Sequence, residues 1–520
     1  MIPHMKRTLL CLVSVLFCVC AFAATYYVDA KTGNDMNSGD HPSRAFRSLQ
    51  AVNRLSLQPG DSVLFRCGTA YDGNLKIQCL GAPGRPVVFS SYGNGPKPRL
   101  NGNGLVTATI LVYNSAYLHL SGLEVTNAGA TPAAHRKGIH LLLEDFGIAF
   151  DIRLSGLYVH DVNGSNVKRA GGGAGIHWTN RGRSKPSAFN GLLIEHCRIE
   201  RTDRNGITSS GYWQRQEWFP SRNVIIRHNH LEDIGGDGIV PIGCDSALIE
   251  HNTIYRGGQR FPEGDAAAGI WPWSCDNTII QHNEVAWYGG PWDSQGFDSD
   301  WNCRNTLIQY NYSHDNTGGF VLVCNDGNVK APQSVGNTGT VIRYNVSIND
   351  GYRSTFKHAG FSPVFHFAGP TFNNRVYNNL VYITKARPPH TDSTMVDMDN
   401  WSGYADSTVF ANNIFYTEGA VDYQMGKSTR NHYISNVYYG RHLLQPPTPG
   451  AVTDKPAFRE YPAEAPRGFE ALRAFMLAAG GLRGVLMTEE AVTDFFGNGI
   501  PAGERPVVGI HQNTIDIKKQ

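Results

Sequence analysis

Leu248-Ile-Glu-His-Asn252 is one copy of a unit that this chain repeats. Leu193-Ile-Glu-His-Cys197 and Ile225-Ile-Arg-His-Asn229 precede it, and Ile279-Ile-Gln-His-Asn283, Leu307-Ile-Gln-Tyr-Asn311 and Val341-Ile-Arg-Tyr-Asn345 follow. Each copy is a short apolar strand that ends in a ring and then an amide. A spacing of roughly 23 to 35 residues marks a solenoid, whose units bury a core only by stacking on one another. Stacked in register, Asn229, Asn252, Asn283, Asn311 and Asn345 form one column, and aligned amides can bond from turn to turn. His196, His228, His251 and His282 form the neighbouring column. No acidic or thiol partners are evident at that end, and Tyr310 and Tyr344 continue the column, so it is read as a structural ladder and not as a metal site.

A second strand begins at a glycine: Gly175-Ile-His-Trp-Thr179, Gly206-Ile-Thr-Ser-Ser210, Gly238-Ile-Val-Pro-Ile242, Gly269-Ile-Trp-Pro-Trp273, Gly296-Phe-Asp-Ser-Asp300 and Gly319-Phe-Val-Leu-Val323. Strand side chains alternate, so the residue after each glycine points inward. Two outward columns follow. One reads His177, Thr208, Val240, Trp271, Asp298, Val321; the other reads Thr179, Ser210, Ile242, Trp273, Asp300, Val323. Further on, His366, Asp397 and Asp399 are expected to face outward as well. Cys244, Cys275, Cys303 and Cys324 fall just past these strands and are read as one buried stack. The fold expected is an all-β parallel β-helix solenoid. A propeller would show blades of about 40 residues with Trp-Asp signatures, which the chain lacks.

Around the repeats, the chain divides into an expected signal peptide (1–23), an N-terminal cap with the first strands (24–104), the β-helix (105–440) and an irregular C-terminal tail (441–520). The leader has Lys6 and Arg7, an apolar run from Leu9 to Val19, and Ala21-Phe-Ala23 as the cleavage site. The mature protein is therefore expected to be secreted or periplasmic. Phe46 to Leu57 has helical spacing and suits a cap over the open end of the core. Of 46 basic residues two leave with the leader, giving 44 against 44 acidic ones. That balance argues against nucleic acid or an anionic membrane as partner. Seven of ten cysteines remain, an odd number, with Cys67 and Cys79 the one pair free to bridge.

The opening Tyr26-Tyr-Val-Asp29, the Pro59-Gly-Asp61 turn, the asparagine columns and Asp494-Phe-Phe-Gly-Asn498 together resemble secreted bacterial right-handed β-helix proteins of the pectate-lyase-like superfamily. The resemblance implies a right-handed helix and a glycan substrate. The glycoside hydrolase it implies resembles the β-helical fucosidase and xylanase type.

Candidate chemistry sits where the outward columns change character. Asp298 and Asp300 are two residues apart on one face, with Cα atoms expected roughly 6.6 Å apart. A pair of carboxyl groups can serve as acid and as base or nucleophile, and that separation leans towards inversion. Trp271 and Trp273, one turn away, are expected to stack against sugar rings, with His366 supporting the acid. His177, Asp265, Trp292, Lys357 and His358 complete the expected substrate-binding set, and no metal site is assigned. The expected enzyme is a cofactor-independent, monomeric glycoside hydrolase acting on a polysaccharide or oligosaccharide. Two other readings stand beside it. One is a uronate lyase, which could use Ca²⁺ but would need a basic residue that the outward columns lack near Asp298. The other is a non-catalytic glycan-binding or adhesive β-helix. A calcium site is the alternative use of the two aspartates.

Overall fold

The computed structural model describes residues 23–262, 264–353, 360–384, 391–477, 482–487 and 491–512. Apart from Ala23, the expected leader lies outside the described residues. The chain winds as a parallel β-helix with three sheets running along its length. The first is a 16-stranded sheet that contains the recurring apolar unit. Its register pairs Leu193 with Ile225, Ile225 with Leu248, Leu248 with Ile279, Ile279 with Leu307 and Leu307 with Val341. This is the alignment that the sequence repeats imply. The stack already begins at Thr25–Val28, which pairs with Ser62–Arg66 inside the segment read as cap and first strands. At the far end, Ile414–Gln424 bends across two faces and pairs with both Leu380–Ile383 and Thr394–Asp399.

The asparagine column is hydrogen-bonded throughout. Asn252 Nδ2 donates to Asn283 Oδ1 at 3.0 Å, Asn283 to Asn311 at 3.1 Å and Asn311 to Asn345 at 3.0 Å. The ladder runs on through Asn379 and Asn413 to Asn436. Each of these amides also reaches a carbonyl of the preceding turn, as Asn311 Nδ2 does to Ile280 O at 2.8 Å. The ladder thus satisfies backbone groups that the bend between two sheets would otherwise strand inside the core.

The residue before each asparagine explains the ring column. His196, His228, His251, His282, Tyr310 and Tyr344 all have φ between 50° and 56°. This left-handed corner turns the chain from one sheet to the next. The imidazoles stack face to face with centroids 4.9–5.0 Å apart, and Asn378 and Asn412 take over the same corner in later turns.

The ends are sealed as a solenoid requires. The expected N-terminal helix is reduced to one turn, Leu49–Val52, capped by Ser48 Oγ. Its Leu49, Ala51 and Val52 join the main apolar core. At the other end the tail folds back along the solenoid. Its Leu472, Phe475, Phe495 and Val508 pack with Tyr312, Tyr382 and Tyr416 in a second core. Within the tail, Asp494 caps its own loop by accepting from the backbone N–H groups of Phe496, Asn498 and Gln512 at 2.9 Å. The seven described cysteines are all free, including Cys67 and Cys79, the two whose pairing the sequence leaves open.

The ladder should therefore carry stability that its exposed neighbour does not. Asn311→Ala removes the amide that Ile280 O accepts from and the oxygen that the buried Asn283 backbone N–H donates to, and should cost about 3 kcal/mol. His251→Asn, at an exposed left-handed corner, should change stability by less than about 0.5 kcal/mol. Urea midpoints of the two variants test this, and an Asn311→Ala midpoint equal to wild type would remove the ladder as a stabilising device.

Candidate active site

Asp298 and Asp300 lie in adjacent outward positions of the strand Phe297–Ser299 and its extension, beside the turn that carries Trp271 and Trp273. On the other side the register differs from the expected one. Phe297 pairs with Val321, Asp298 with Leu322 and Ser299 with Val323. Val321 and Val323 therefore point into the core, where both are fully buried. The cause lies in the preceding turn, where Gly319 takes φ +116° and its missing Cβ makes room for Pro363 O. One residue is thus added before the strand starts. The outward columns become Trp271, Asp298, Leu322, His366, Asp397 and Trp273, Asp300, Cys324, Ala368, Asp399.

The slip puts a thiol against a carboxylate. Cys244, Cys275 and Cys303 form the expected buried stack, linked by N–H to sulfur contacts of 3.2 and 3.5 Å. Cys324 departs from it: its Sγ donates to Asp300 Oδ1 at 3.0 Å. Burial, and then the charges of Asp300 and Asp298, push this thiol well above its ordinary range, so it stays protonated and remains a donor. Asp300 Oδ1 also accepts the Trp301 N–H at 2.6 Å. From inside the core, Asn337 Nδ2 binds the carbonyls of Ser299, Asp300 and Cys324 at 2.7–3.1 Å, which fixes the backbone of both strands.

Three aspartates share this place. The carboxylate oxygens of Asp298 and Asp300 and the Cys324 sulfur lie within 4.8 Å of one another. The side chains converge, so the wider separation behind the expectation of inversion is not met by this pair. Asp298 is only 3% exposed and its Oδ1 has no hydrogen-bond partner among the described residues. Burial, and then the charges of Asp300 and Asp293, raise its carboxyl well above the usual range. Burial also raises Asp300, against the opposing bonds from Cys324 and Trp301. Asp293, at a left-handed turn with φ 51°, is half-buried. Burial lifts it to about 6, with Lys168 and His366 opposing and Asp300 reinforcing the shift. The backbone of Asp293 is held by the buried Arg353, whose guanidinium also donates to Gly290 O at 2.7 Å.

A cleft of about 680 Å³ opens beside Asp300 and runs back along the sheet past Trp273, Trp271 and His177 to Lys137. Trp271 is not the open platform expected from the sequence. It is 6% exposed, its Nε1 donates to Asp237 Oδ1 at 3.1 Å, and Lys168 Nζ lies 4.8 Å from its ring centre. Trp273 stacks on Trp213 at 5.3 Å and meets Trp301 at 5.2 Å, making an aromatic wall. Trp213 comes from an insertion between strands and carries no repeat signal. Trp301 and the exposed Trp401 also line the cleft.

The other expected residues divide. His177 lines the cleft, with its Nε2 3.2 Å from Ser210 Oγ. Asp265 accepts the Lys168 backbone N–H at 2.8 Å, so it fixes the loop that delivers Lys168. Trp292 stacks on Phe361, whose edge meets the ring of His366 at 4.9 Å. His366 stands two turns from Asp298 with Leu322 between them, and its Nε2 is 3.7 Å from Asp399 Oδ2. It therefore faces Asp293 and Asp399 and not the Asp298–Asp300 pair. Lys357 and His358 lie outside the described residues. The expected lack of a base near Asp298 holds for the columns alone. Lys168 arrives on a loop from an earlier turn and sits 3.7 Å from Asp237, which is itself paired with the fully buried Arg204 at 3.1 Å.

No family model matches the chain. The lacto-N-biosidase of Bifidobacterium longum subsp. longum is 28% identical over 491 aligned positions, which take in 75% of this chain and 28% of that protein. The crystal structure of GH136 lacto-N-biosidase from Eubacterium ramulus superimposes with a TM-score of 0.59 at 27% identity, covering 72% of this chain and 66% of that one. A complex of XylC with xylose reaches a TM-score of 0.50 at 11% identity over 94% of this chain, a likeness of fold alone. The chain spans little more than a quarter of the curated relative and just under two thirds of the E. ramulus structure. In sequence and in fold, then, it is similar to lacto-N-biosidases and shares the β-helix of carbohydrate-active proteins.

Proposed function

We propose that the chain is a glycoside hydrolase in which Asp300 is the ionised carboxylate and Asp293 the general acid. The observation that carries this is the cluster of three aspartates, each in a different environment, of which Asp300 lines an aromatic-walled cleft. Asp300 opens on the cleft and receives two hydrogen bonds that favour its charged form. Asp293 is half-buried and titrates near 6, where an acid can give up its proton at working pH. The sequence pairs Asp298 with Asp300 as acid and base or nucleophile without dividing the roles. Asp298 is the more deeply buried, and burial with the charges around it favours its protonated form. It suits a supporting role, as a neutral neighbour that avoids a second charge beside Asp300. The Asp293 proton would pass to the glycosidic oxygen as the C–O bond breaks, and Asp300 would face the positive charge that develops on the sugar ring. The anomeric carbon would end bonded to the oxygen of a water whose proton returns to Asp293. The likeness to lacto-N-biosidases makes oligosaccharides the first substrates to try.

The same reading includes two further expectations. The reaction is proposed to need no cofactor: Asp298, Asp300 and Cys324 come together, and a buried, protonated thiol is a poor ligand for a hard cation such as calcium. The enzyme is proposed to act outside the cytoplasm, on the strength of the Lys6-Arg7, Leu9–Val19 and Ala21-Phe-Ala23 pattern.

Assays on a panel of oligosaccharides test the assignment. Asp300→Asn and Asp293→Asn should each lower kcat/KM by about 10²–10⁴-fold. In the wild type, kcat/KM should fall as pH rises through about 6, because the acid is then losing its proton. That limb should be absent in Asp293→Asn, and a limb that survives would remove Asp293 as the acid. An unsaturated uronate product would favour the lyase reading, and binding without any product the adhesive one.

A separate readout concerns Asp298. Its folded-state pKa is raised above the ordinary 3.8, so it contributes stability at low pH that is lost as pH rises. Asp298→Asn should therefore melt at a higher temperature than wild type, by a margin that grows from about pH 4 towards neutrality. A margin that shrinks with rising pH would contradict the buried, protonated state.

A further inference from the structure

The cleft is electrically lopsided. At one end lies Asp300, with Asp293 and Asp298 close behind it. Beyond them the outward columns continue into a second hollow of about 380 Å³ lined by Asp392, Asp397 and Asp399. Towards the other end the lining includes Lys137, Arg169 and His135, while Lys168 reaches back over Trp271 towards the aspartates. Lys137 belongs to the strand Lys137–Glu144, five turns from the strand of Asp298 by way of residues 174–181, 205–210, 239–240 and 269–273. At about 4.8 Å per turn this is roughly 24 Å.

Lys137 is unusual among the cations of this protein. Only 7% of it is exposed, its Nζ donates to the His135 carbonyl at 3.0 Å, and no carboxylate pairs with it among the described residues. Burial alone lowers it to about 8. An ammonium group with no counter-ion is costly to keep in a buried place unless the site is completed by something else. Arg169 is exposed at the mouth of the same cleft and likewise forms no ion pair among the described residues. Lys168 is partly neutralised by Asp237, which already serves Arg204. The positive end of the cleft therefore has more charge than its own acids balance, and it lies on the wall where a glycan chain would extend from the aspartates.

Resting on the hydrolase reading above, we propose that this end is an anion subsite. Lys137 and Arg169 bind a carboxylate or sulfate group carried by the glycan away from the bond that is cut. The acidic hollow at the opposite end repels such a group, so the charge also sets the direction in which the chain lies. The site would give the enzyme a preference for acidic over neutral glycans of the same length.

The test compares matched pairs: a hexuronate-terminated oligosaccharide with its carboxyl-reduced counterpart, and a 6-sulfated N-acetylglucosamine oligosaccharide with its desulfated form. Wild type should show at least a tenfold higher kcat/KM for the charged member of one pair or both, and which pair responds identifies the anion. The preference should shrink with added sodium chloride. Lys137→Met and Arg169→Ala should each reduce the charged-to-neutral ratio about tenfold, while Lys137→Arg should keep most of it. Arg169 is exposed, so its variant answers the question even if Lys137→Met fails to fold. Equal kcat/KM within both pairs, or a ratio untouched by Arg169→Ala, would overturn the proposal. If no member of either pair is cleaved, the hydrolase reading is what fails for these glycans. Calorimetric binding of the same pairs then decides the subsite: at least tenfold tighter binding of a charged member supports it, and equal or undetectable binding of both overturns it.

Discussion

Strands stacked in parallel at about 4.8 Å force each side chain to sit beside the same position of the turns before and after it. Everything in a column must tolerate its own kind of neighbour. The inward columns meet this with apolar residues such as Ile207, Ile239, Ile270 and Phe297, all fully buried. The corner between two sheets meets it with asparagine, the one side chain here that can both donate to the next turn and accept from the previous one. Beside it, a left-handed residue makes the bend, and rings stacked about 5 Å apart cover it. None of these devices works in a single turn, so the stability of the molecule lies in the repetition.

The same constraint creates the chemistry. A column that must accept like beside like is a poor place for charge, and the outward columns are mostly neutral until they reach Asp298 and Asp300. There the stack sets carboxyl groups side by side, next to the tryptophan wall. Burial and mutual repulsion act in the same direction on Asp293, Asp298 and Asp300. What separates their roles is local bonding. Asp300 has the Cys324 thiol and the Trp301 N–H, Asp293 has the nearby cations, and Asp298 has an oxygen with no partner among the described residues. A rigid scaffold can hold such an arrangement because neighbouring turns prevent the side chains from drifting apart.

The periodic part of this structure was legible in the sequence because periodicity is what a sequence displays. The first sheet's register, the inward isoleucines and the asparagine ladder all follow from aligning the repeats. The ladder extends past Asn345 to Asn436 on the same logic. What the repeats hid was local. Gly319 adds one residue before its strand, so Val321 and Val323 turn inward and Cys324 leaves the cysteine stack to face Asp300. Lys168 and Trp213 reach the cleft on insertions, which carry no period to align. Trp271 lies in the expected column, yet the partners that bury it, Asp237 and Lys168, come from other turns. The weight given to Asp293 rests on burial and neighbouring charge, neither of which a turn aspartate reveals in a linear chain.

Stacking buries Asp298 beside Asp300, where burial and repulsion favour the protonated form of Asp298 while the Cys324 and Trp301 bonds favour the charged form of Asp300. Infrared difference spectroscopy of the carboxyl stretching region, comparing wild type with Asp298→Asn across a pH titration, tests it most directly. The account predicts a protonated-carboxyl band in the wild type that persists at pH 7 and is missing from the Asp298→Asn spectrum. A wild-type spectrum with no protonated carboxyl at that pH, or a band that the substitution leaves in place, would contradict it.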